Sequence, residues 1–90
     1  MTLTRAQLNF YVNKAARALG VRLFTHDDNV VFEDNTGRFV AYLRVDHCTY
    51  CVQLSTEWSE ARITDALAQA QKALYAFVHR NDVNEKAISA

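Results

Sequence analysis

The order in which the hydrophobic pattern changes along the chain constrains its fold most strongly. Apolar residues recur at helical spacing from about residue 4 to residue 19, and the pattern stops at Gly20. Residues 21–55 alternate between apolar and polar positions, as strands do, and a helical period returns from about residue 58 to residue 80. Helix, short strands and helix in this order predict a two-layer α+β domain.

Length and composition are typical of one small domain. The chain has 90 residues, of which 50% are hydrophobic, so one core can form without metals or disulfides. It has no proline and only two glycines, and its turns must therefore rely on Asp and Asn, which tolerate left-handed backbone. We expect a single domain over residues 1–80 and a mobile C-terminal tail over residues 81–90, where the helical pattern fades.

Caps and turns place the individual elements. Thr4 and Gln7 have the spacing of a capping box at the start of helix 1, and Gly20 supplies its left-handed stop. Four strands are predicted at residues 21–25, 30–33, 38–45 and 48–54, with connections too short for a parallel crossover. The predicted fold is therefore α-β-β-β-β-α, an antiparallel β-meander packed by two helices. The core face of helix 1 is predicted to hold Leu8, Tyr11, Val12, Ala15 and Leu19. The core face of helix 2 is predicted to hold Ile63, Ala66, Leu67, Ala70, Leu74 and Phe77.

The charge balance limits the classes of partner. Ten basic and ten acidic side chains give a formal net charge of zero, which argues against a dedicated nucleic-acid-binding protein. Residues 1–26 nevertheless carry four basic side chains and no acidic one, which leaves room for one local basic patch. The N-terminus lacks a basic region followed by an apolar stretch, and no apolar run approaches about 18 residues. We therefore expect no membrane partner and a cytoplasmic location.

Cys48 and Cys51 are the first candidates for chemistry, because Cys-x-x-Cys is half of a zinc site. The second half is missing, since only His26 and His79 remain as partners besides the neighbouring His47. The pair also lies in a predicted strand, where the alternation of side chains points the two thiols to opposite faces. Structural cysteines are the favoured interpretation, and a small metal or redox protein is kept as an alternative.

Catalytic motifs are lacking elsewhere in the sequence. There is no Gly-rich phosphate loop and no recognisable nucleophile motif. The histidine–aspartate neighbours at His26–Asp27 and Asp46–His47 fall at predicted turns, where such residues are common anyway. We therefore expect neither an enzyme nor a cofactor.

The outer face of helix 1 is the first candidate binding surface. Leu3 and Phe10 are seven residues apart, so helical geometry would stack them on one face opposite the core. Basic residues flank these two side chains. If both helices cover one face of the sheet, the other face would expose a further aromatic residue, Tyr42. The predicted protein-binding residues are Leu3, Phe10, Lys14, Arg17 and Tyr42.

The outer face of helix 2 is the second candidate surface. It carries little charge for a solvent-facing helix, although Ala is also a good helix former. Small residues let two helices approach closely, and a twofold dimer uses one patch twice. The predicted homodimer interface comprises Ala61, Ala68, Tyr75 and Ala76.

Nucleic-acid binding is the main alternative function. A stripe at every fourth position of helix 1, with two nearby cations, would suit duplex RNA or DNA. Its residues are Arg5, Asn9, Asn13, Lys14, Arg17 and Arg22. The order of elements is similar to that of the double-stranded-RNA-binding domain, whose helix 1 and helix 2 start contact a duplex. The second helix of that family starts with lysines, whereas this chain has Ser59-Glu60-Ala61-Arg62, and the acidic start would repel phosphate.

The sequence thus favours a small non-catalytic domain that binds another protein. Stand-alone domains of this size are often accessory or inhibitor proteins of phages and mobile elements, an expectation that rests on base rates and on no particular residue. Three surfaces compete as the contact site: helix 1, helix 2 and the open face of the sheet.

Overall fold

The computed structural model describes the backbone of residues 2–89 and the side chains of residues 2–79. Two helices and four strands follow one another in the predicted order α-β-β-β-β-α, and every strand pairing is antiparallel, which confirms the α+β fold. The elements are α1 (Arg5–Leu19), β1 (Arg22–Leu23), β2 (Phe32–Glu33), β3 (Phe39–Val45), β4 (Cys48–Gln53) and α2 (Glu60–Ser89).

Helix α1 begins and ends where its sequence predicts. The Gln7 N–H donates to Thr4 Oγ1 at 3.1 Å, and the Thr4 N–H donates to Gln7 Oε1 at 2.9 Å, so the capping box is present. Gly20 adopts a left-handed φ of 70° and donates its N–H to the last carbonyls of the helix. Together these caps fix both ends of the helix.

The sheet is built around β3. Strand β4 pairs with β3 from Val45↔Cys48 to Val40↔Gln53, while β1 and β2 both pair with the opposite edge of β3. In a simple meander β1 and β2 would be neighbours; here they are the two ends of one edge strand, interrupted by residues 24–31. We call this segment the 24–31 loop. Its tip is a tight turn in which Asp27 and Asp28 have φ values of 51° and 65°, and this turn carries the chain away from β3 and back.

Both helices contribute to one hydrophobic core. Helix α2 packs directly on β3 and β4, α1 packs against α2, and the 24–31 loop adds Val30 and Val31 beside them. The core residues of both helices form a single cluster with those of one sheet face, so the opposite face is open. The cluster comprises Leu8, Val12, Ala15, Val30, Val31, Ala41, Leu43, Val52, Leu54, Ile63, Leu67, Ala70 and Leu74.

Helix α2 departs from the sequence prediction toward its C-terminal end. Phe77, predicted as a core residue, is 60% exposed; it borders an open hollow beside Cys48 and Tyr50, while the next residue, Val78, packs against the core. The helical backbone continues through Ser89, whereas the pattern predicts an end near residue 80. The predicted mobile tail at residues 81–90 lies outside the residues whose side chains the structure describes. Over the described residues, no helix is apolar over a length sufficient to span a bilayer.

Candidate interaction surfaces

The outer face of α1 carries the most exposed large apolar side chain among residues 2–79. Phe10 is 62% exposed and makes an edge-on contact with Tyr11, their ring centroids lying 5.7 Å apart. It borders a shallow hollow of about 560 Å³ that is also lined by Asn13, Lys14 and Arg17. The structure thus brings three of the predicted protein-binding residues together: Phe10, Lys14 and Arg17.

Leu3 does not join this surface. The backbone at Thr4 is extended, with ψ of 164°, so the helical spacing on which the prediction depended does not reach Leu3. Instead the Leu3 N–H donates to the Thr56 carbonyl at 2.8 Å, and its side chain packs against the core. This is the position from which a hydrophobic staple closes a helix start, and the role of Leu3 in the structure is to hold α1 in place.

Lys14 is linked to helix α2. Its Nζ lies 2.8 Å from Glu60 Oε1, and both side chains are exposed. The hydrogen bond to Glu60, together with its negative charge, raises the pKa of Lys14 above the ordinary value. An exposed pair of this kind stabilises a fold little, but it partly compensates the charge of Lys14. Arg17 makes no ion pair with any described residue, so it is the freer cation beside Phe10.

The predicted nucleic-acid stripe is divided by the structure. Asn9 faces the 24–31 loop: its Oδ1 accepts the Val30 N–H at 2.7 Å and the Val31 N–H at 3.3 Å. Arg5 donates to the Val31 carbonyl at 3.3 Å. These two side chains therefore hold the loop against α1. Arg22 lies on the sheet, so the six predicted residues do not form one continuous cationic face.

The open face of the sheet is a three-by-three array, which we call the sheet platform. Directly paired residues of antiparallel strands point to the same side, and the pairings Arg22↔Arg44, Phe32↔Val40 and Tyr42↔Cys51 place their side chains there. The Phe24 N–H donates to the Tyr42 carbonyl at 2.9 Å, which completes the middle row. From one end to the other the rows are Arg22–Arg44–Thr49, Phe24–Tyr42–Cys51 and Phe32–Val40–Gln53.

Aromatic rings occupy the edge-strand side of the sheet platform. The ring centroids of Phe24 and Phe32 are 5.6 Å apart, and those of Phe32 and Tyr42 are 6.0 Å apart. Val40 is only 3% exposed although it lies on the open face outside the main core, as expected if the neighbouring rings shield it. Phe24 is itself 44% exposed. The cluster is thus an apolar surface that neither helix covers.

Two arginines lie in the row at one end of the sheet platform. Arg22 and Arg44 stand directly opposite each other on β1 and β3, an arrangement that is unfavourable for like charges. They line a hollow of about 330 Å³ with Leu23 and Asp46, yet within the described residues neither guanidinium forms an ion pair with Asp46 or any other carboxylate. Arg38 lies just beyond the opposite end of the platform, two residues before Val40 in the sequence.

The predicted dimer residues lie on the outer side of α2. Ala61, Tyr75 and Ala76 are exposed, and Ala68 is half-buried. The Tyr75 ring packs against the His79 ring, with 4.4 Å between their centroids. A shallow hollow beside these residues is also lined by Glu60 and Asp65, and Tyr75 is the largest side chain of the predicted interface.

The two thiols are free and lie on opposite faces of β4. Cys51 is exposed on the sheet platform opposite Tyr42, whereas Cys48 pairs with Val45 and packs partly against the core. No group of three His, Cys, Asp or Glu side chains within residues 2–79 could hold a metal ion. His26 and Asp27, 3.3 Å apart, are exposed at the tip of the 24–31 loop.

Phe24 and Phe32 are the surface residues that the sequence interpretation missed. Both lie in predicted strands, but their face depends on the register of each strand with β3, which alternation alone does not fix.

Comparisons of this chain with family models, with curated proteins and with solved structures find no match. The function of this chain is therefore inferred from the surfaces described above.

Proposed function

We propose that this protein is a small non-catalytic interaction domain that binds another protein through the outer face of α1. The observation that carries the proposal is the exposure of Phe10, at 62%, within a hollow lined by Lys14 and Arg17. Aromatic and Arg side chains are enriched among the residues that dominate binding energy in protein interfaces. A phenylalanine that the domain does not bury itself is suited to such an anchor.

The charges around Phe10 define the chemistry of the partner. Glu60 compensates Lys14, which leaves the positive charge of Arg17 to face outward. We expect the partner to offer an apolar pocket for the Phe10 ring and a carboxylate for the Arg17 guanidinium, whose fork matches carboxylate geometry.

Self-association through α2 is a second part of the proposal. Exposed Ala61 and Ala76 would let two copies of α2 approach closely around a twofold axis, with Tyr75 from each copy packing across it. A reducing, cytoplasmic setting, in which the thiols of Cys48 and Cys51 stay reduced, is a further part of the proposal. An accessory or inhibitor role in a phage or mobile element suits a small domain of this kind and stays a prediction.

Site-specific crosslinking tests the main proposal. A photoreactive benzoylphenylalanine replaces Phe10 in one protein sample and Phe77 in a matched control, because the two side chains have similar exposure, 62% and 60%. In native cell extract, we expect a discrete adduct from position 10 that excess wild-type protein suppresses and the Arg17→Glu variant does not. Identical adducts from both positions, or equal suppression by both competitors, would refute binding through α1.

A further inference from the structure

We propose that the sheet platform binds single-stranded nucleic acid, a function separate from protein binding through α1. The platform joins two features that this ligand requires: aromatic rings for stacking bases, of which Phe24 is exposed and the other two are half-buried, and unpaired arginines for phosphates. Phe24, Phe32 and Tyr42 supply the rings, and Arg22 and Arg44 supply the charge.

The arginine pair points to an anionic ligand. Two like charges directly opposite on paired strands destabilise a sheet, and no carboxylate of the described residues forms an ion pair with either guanidinium. A phosphate between Arg22 and Arg44 would remove that repulsion. None of the nine residues of the platform is acidic, while Asp46 lies at the rim of the arginine hollow. The local charge is therefore positive although the chain as a whole is neutral.

The dimensions of the sheet platform suit a short single strand. Three strands at about 4.8 Å spacing span roughly 10 Å, and five residues along β3 span roughly 13 Å. This area accommodates two or three bases, the number that aromatic residues on an open sheet typically stack. A duplex keeps its base faces stacked inside, so it could use only the arginines.

The two sides of the sheet platform differ in chemistry, which fixes how a bound strand would lie across it. The aromatic rings lie over the edge strand and β3, whereas the β4 side offers the uncharged polar residues Thr49 and Gln53. Bases stacked on the rings would place their edges near these groups. Such contacts would add modest base preferences to a site that stacking makes tolerant of sequence.

Fluorescence anisotropy with labelled 12-mers tests this inference. The probes are single-stranded dT and rU, a dT·dA duplex and an oligoglutamate peptide, each titrated to about 100 µM protein at 50 mM and 200 mM salt. We expect single strands to bind at least tenfold more tightly than duplex or peptide. Two or three neutralised phosphates predict a loss of roughly 7- to 18-fold in affinity between the two salt concentrations.

Matched variants assign the binding to the platform. We expect Phe24→Ser to weaken single-strand binding at least fivefold, the lower end of the effect of losing one stacking ring. Arg22→Gln should weaken binding and reduce the salt slope by about 0.7, without lowering the melting temperature, because it relieves the repulsion with Arg44. Phe10→Ser and Arg17→Gln on α1 serve as controls and should leave affinity unchanged.

A thiol footprint on the folded wild-type protein completes the test. Saturating oligonucleotide should slow alkylation of Cys51 on the sheet platform and leave alkylation of Cys48, on the other face of β4, unchanged. The inference is overturned if no single strand binds, if duplex or peptide binds as tightly, or if Cys51 is not protected. Tighter binding of the peptide would reassign the platform to acidic proteins. Loss of binding in the α1 controls instead would place the nucleic acid on the surface proposed for protein.

Discussion

Replacing Asn9 by Ala should destabilise the fold by removing the acceptor that holds the 24–31 loop. Asn9 Oδ1 accepts two backbone N–H groups, from Val30 at 2.7 Å and from Val31 at 3.3 Å. Both valines are buried, with 2% and 0% of their surface exposed, so water reaches their N–H groups poorly. An unsatisfied buried donor costs about 1–3 kcal/mol, and because one oxygen serves both donors we expect a total loss of about 2 kcal/mol.

Asn13→Ala is a matched control for this variant. Asn13 lies one turn further along α1 and is also half-buried, but no hydrogen bond of its side chain is present in the structure. Ala has a higher helix propensity than Asn, and this gain is the same in both variants. The difference between the two variants therefore isolates the hydrogen bonds of Asn9. In a domain of this size, about 2 kcal/mol corresponds to a fall in melting temperature of roughly 8–16 °C.

Urea denaturation followed by circular dichroism provides the free energies of unfolding. Asn9→Asp supplies a further check, because a carboxylate keeps the acceptor and loses only the weak donation to the Asp28 carbonyl at 3.4 Å. We expect Asn9→Asp to be more stable than Asn9→Ala. Equal stability of Asn9→Ala and Asn13→Ala would refute the argument and show that core packing alone holds the loop.

Three other predictions concern the cap of α1, the pKa of Asp34 and self-association through α2. Thr4→Ala removes the cap of α1 and should cost about 1 kcal/mol in the free energy of unfolding, measured by urea denaturation; an unchanged midpoint would show that the capping box contributes nothing. Hydrogen bonds from Thr36 and from the backbone N–H of Arg38 lower the pKa of Asp34, so its stabilisation is present above the unfolded pKa of about 3.9 and is lost as the pH falls through the lower folded value. The stability difference between wild type and Asp34→Ala should accordingly shrink in acid, and a constant difference from pH 7 to pH 2 would contradict this assignment. Light scattering should show a dimer that Tyr75→Glu disrupts; a monomer at about 100 µM would rule the dimer out, and an unaffected dimer would place the interface elsewhere.

Local signals predicted the fold well because they depend on short stretches of chain. The capping box at Thr4 and the stop at Gly20 each involve residues a few positions apart, and both are present in the structure. The opposite orientations of Cys48 and Cys51 follow from strand alternation in the same way. These features need no knowledge of the tertiary packing.

Features that depend on long-range packing were not predictable. The turn at Asp27 and Asp28 suits a hairpin, and only the pairing of both flanking strands with β3 makes it the tip of a loop. Phe77 continues the periodicity of the core face, but its side chain borders an open hollow and Val78 packs against the core instead. In the sequence Asn9 belongs to a polar stripe on helix 1, yet the backbone N–H groups that donate to its side chain are 21 and 22 residues away.

The 24–31 loop connects the interior of the domain to the sheet platform. Phe24 and Phe32 are eight positions apart in sequence, and their rings lie 5.6 Å apart because the loop leaves β3 and returns to it. Asn9 anchors the returning end of this loop from the opposite side of the sheet. We therefore expect Asn9→Ala to weaken single-strand binding as well as stability, although Asn9 lies outside the platform. Anisotropy measured well below the melting temperature of the variant would test this coupling, with Asn13→Ala as the control. A destabilised variant with full affinity would show that pairing with β3 alone positions the rings.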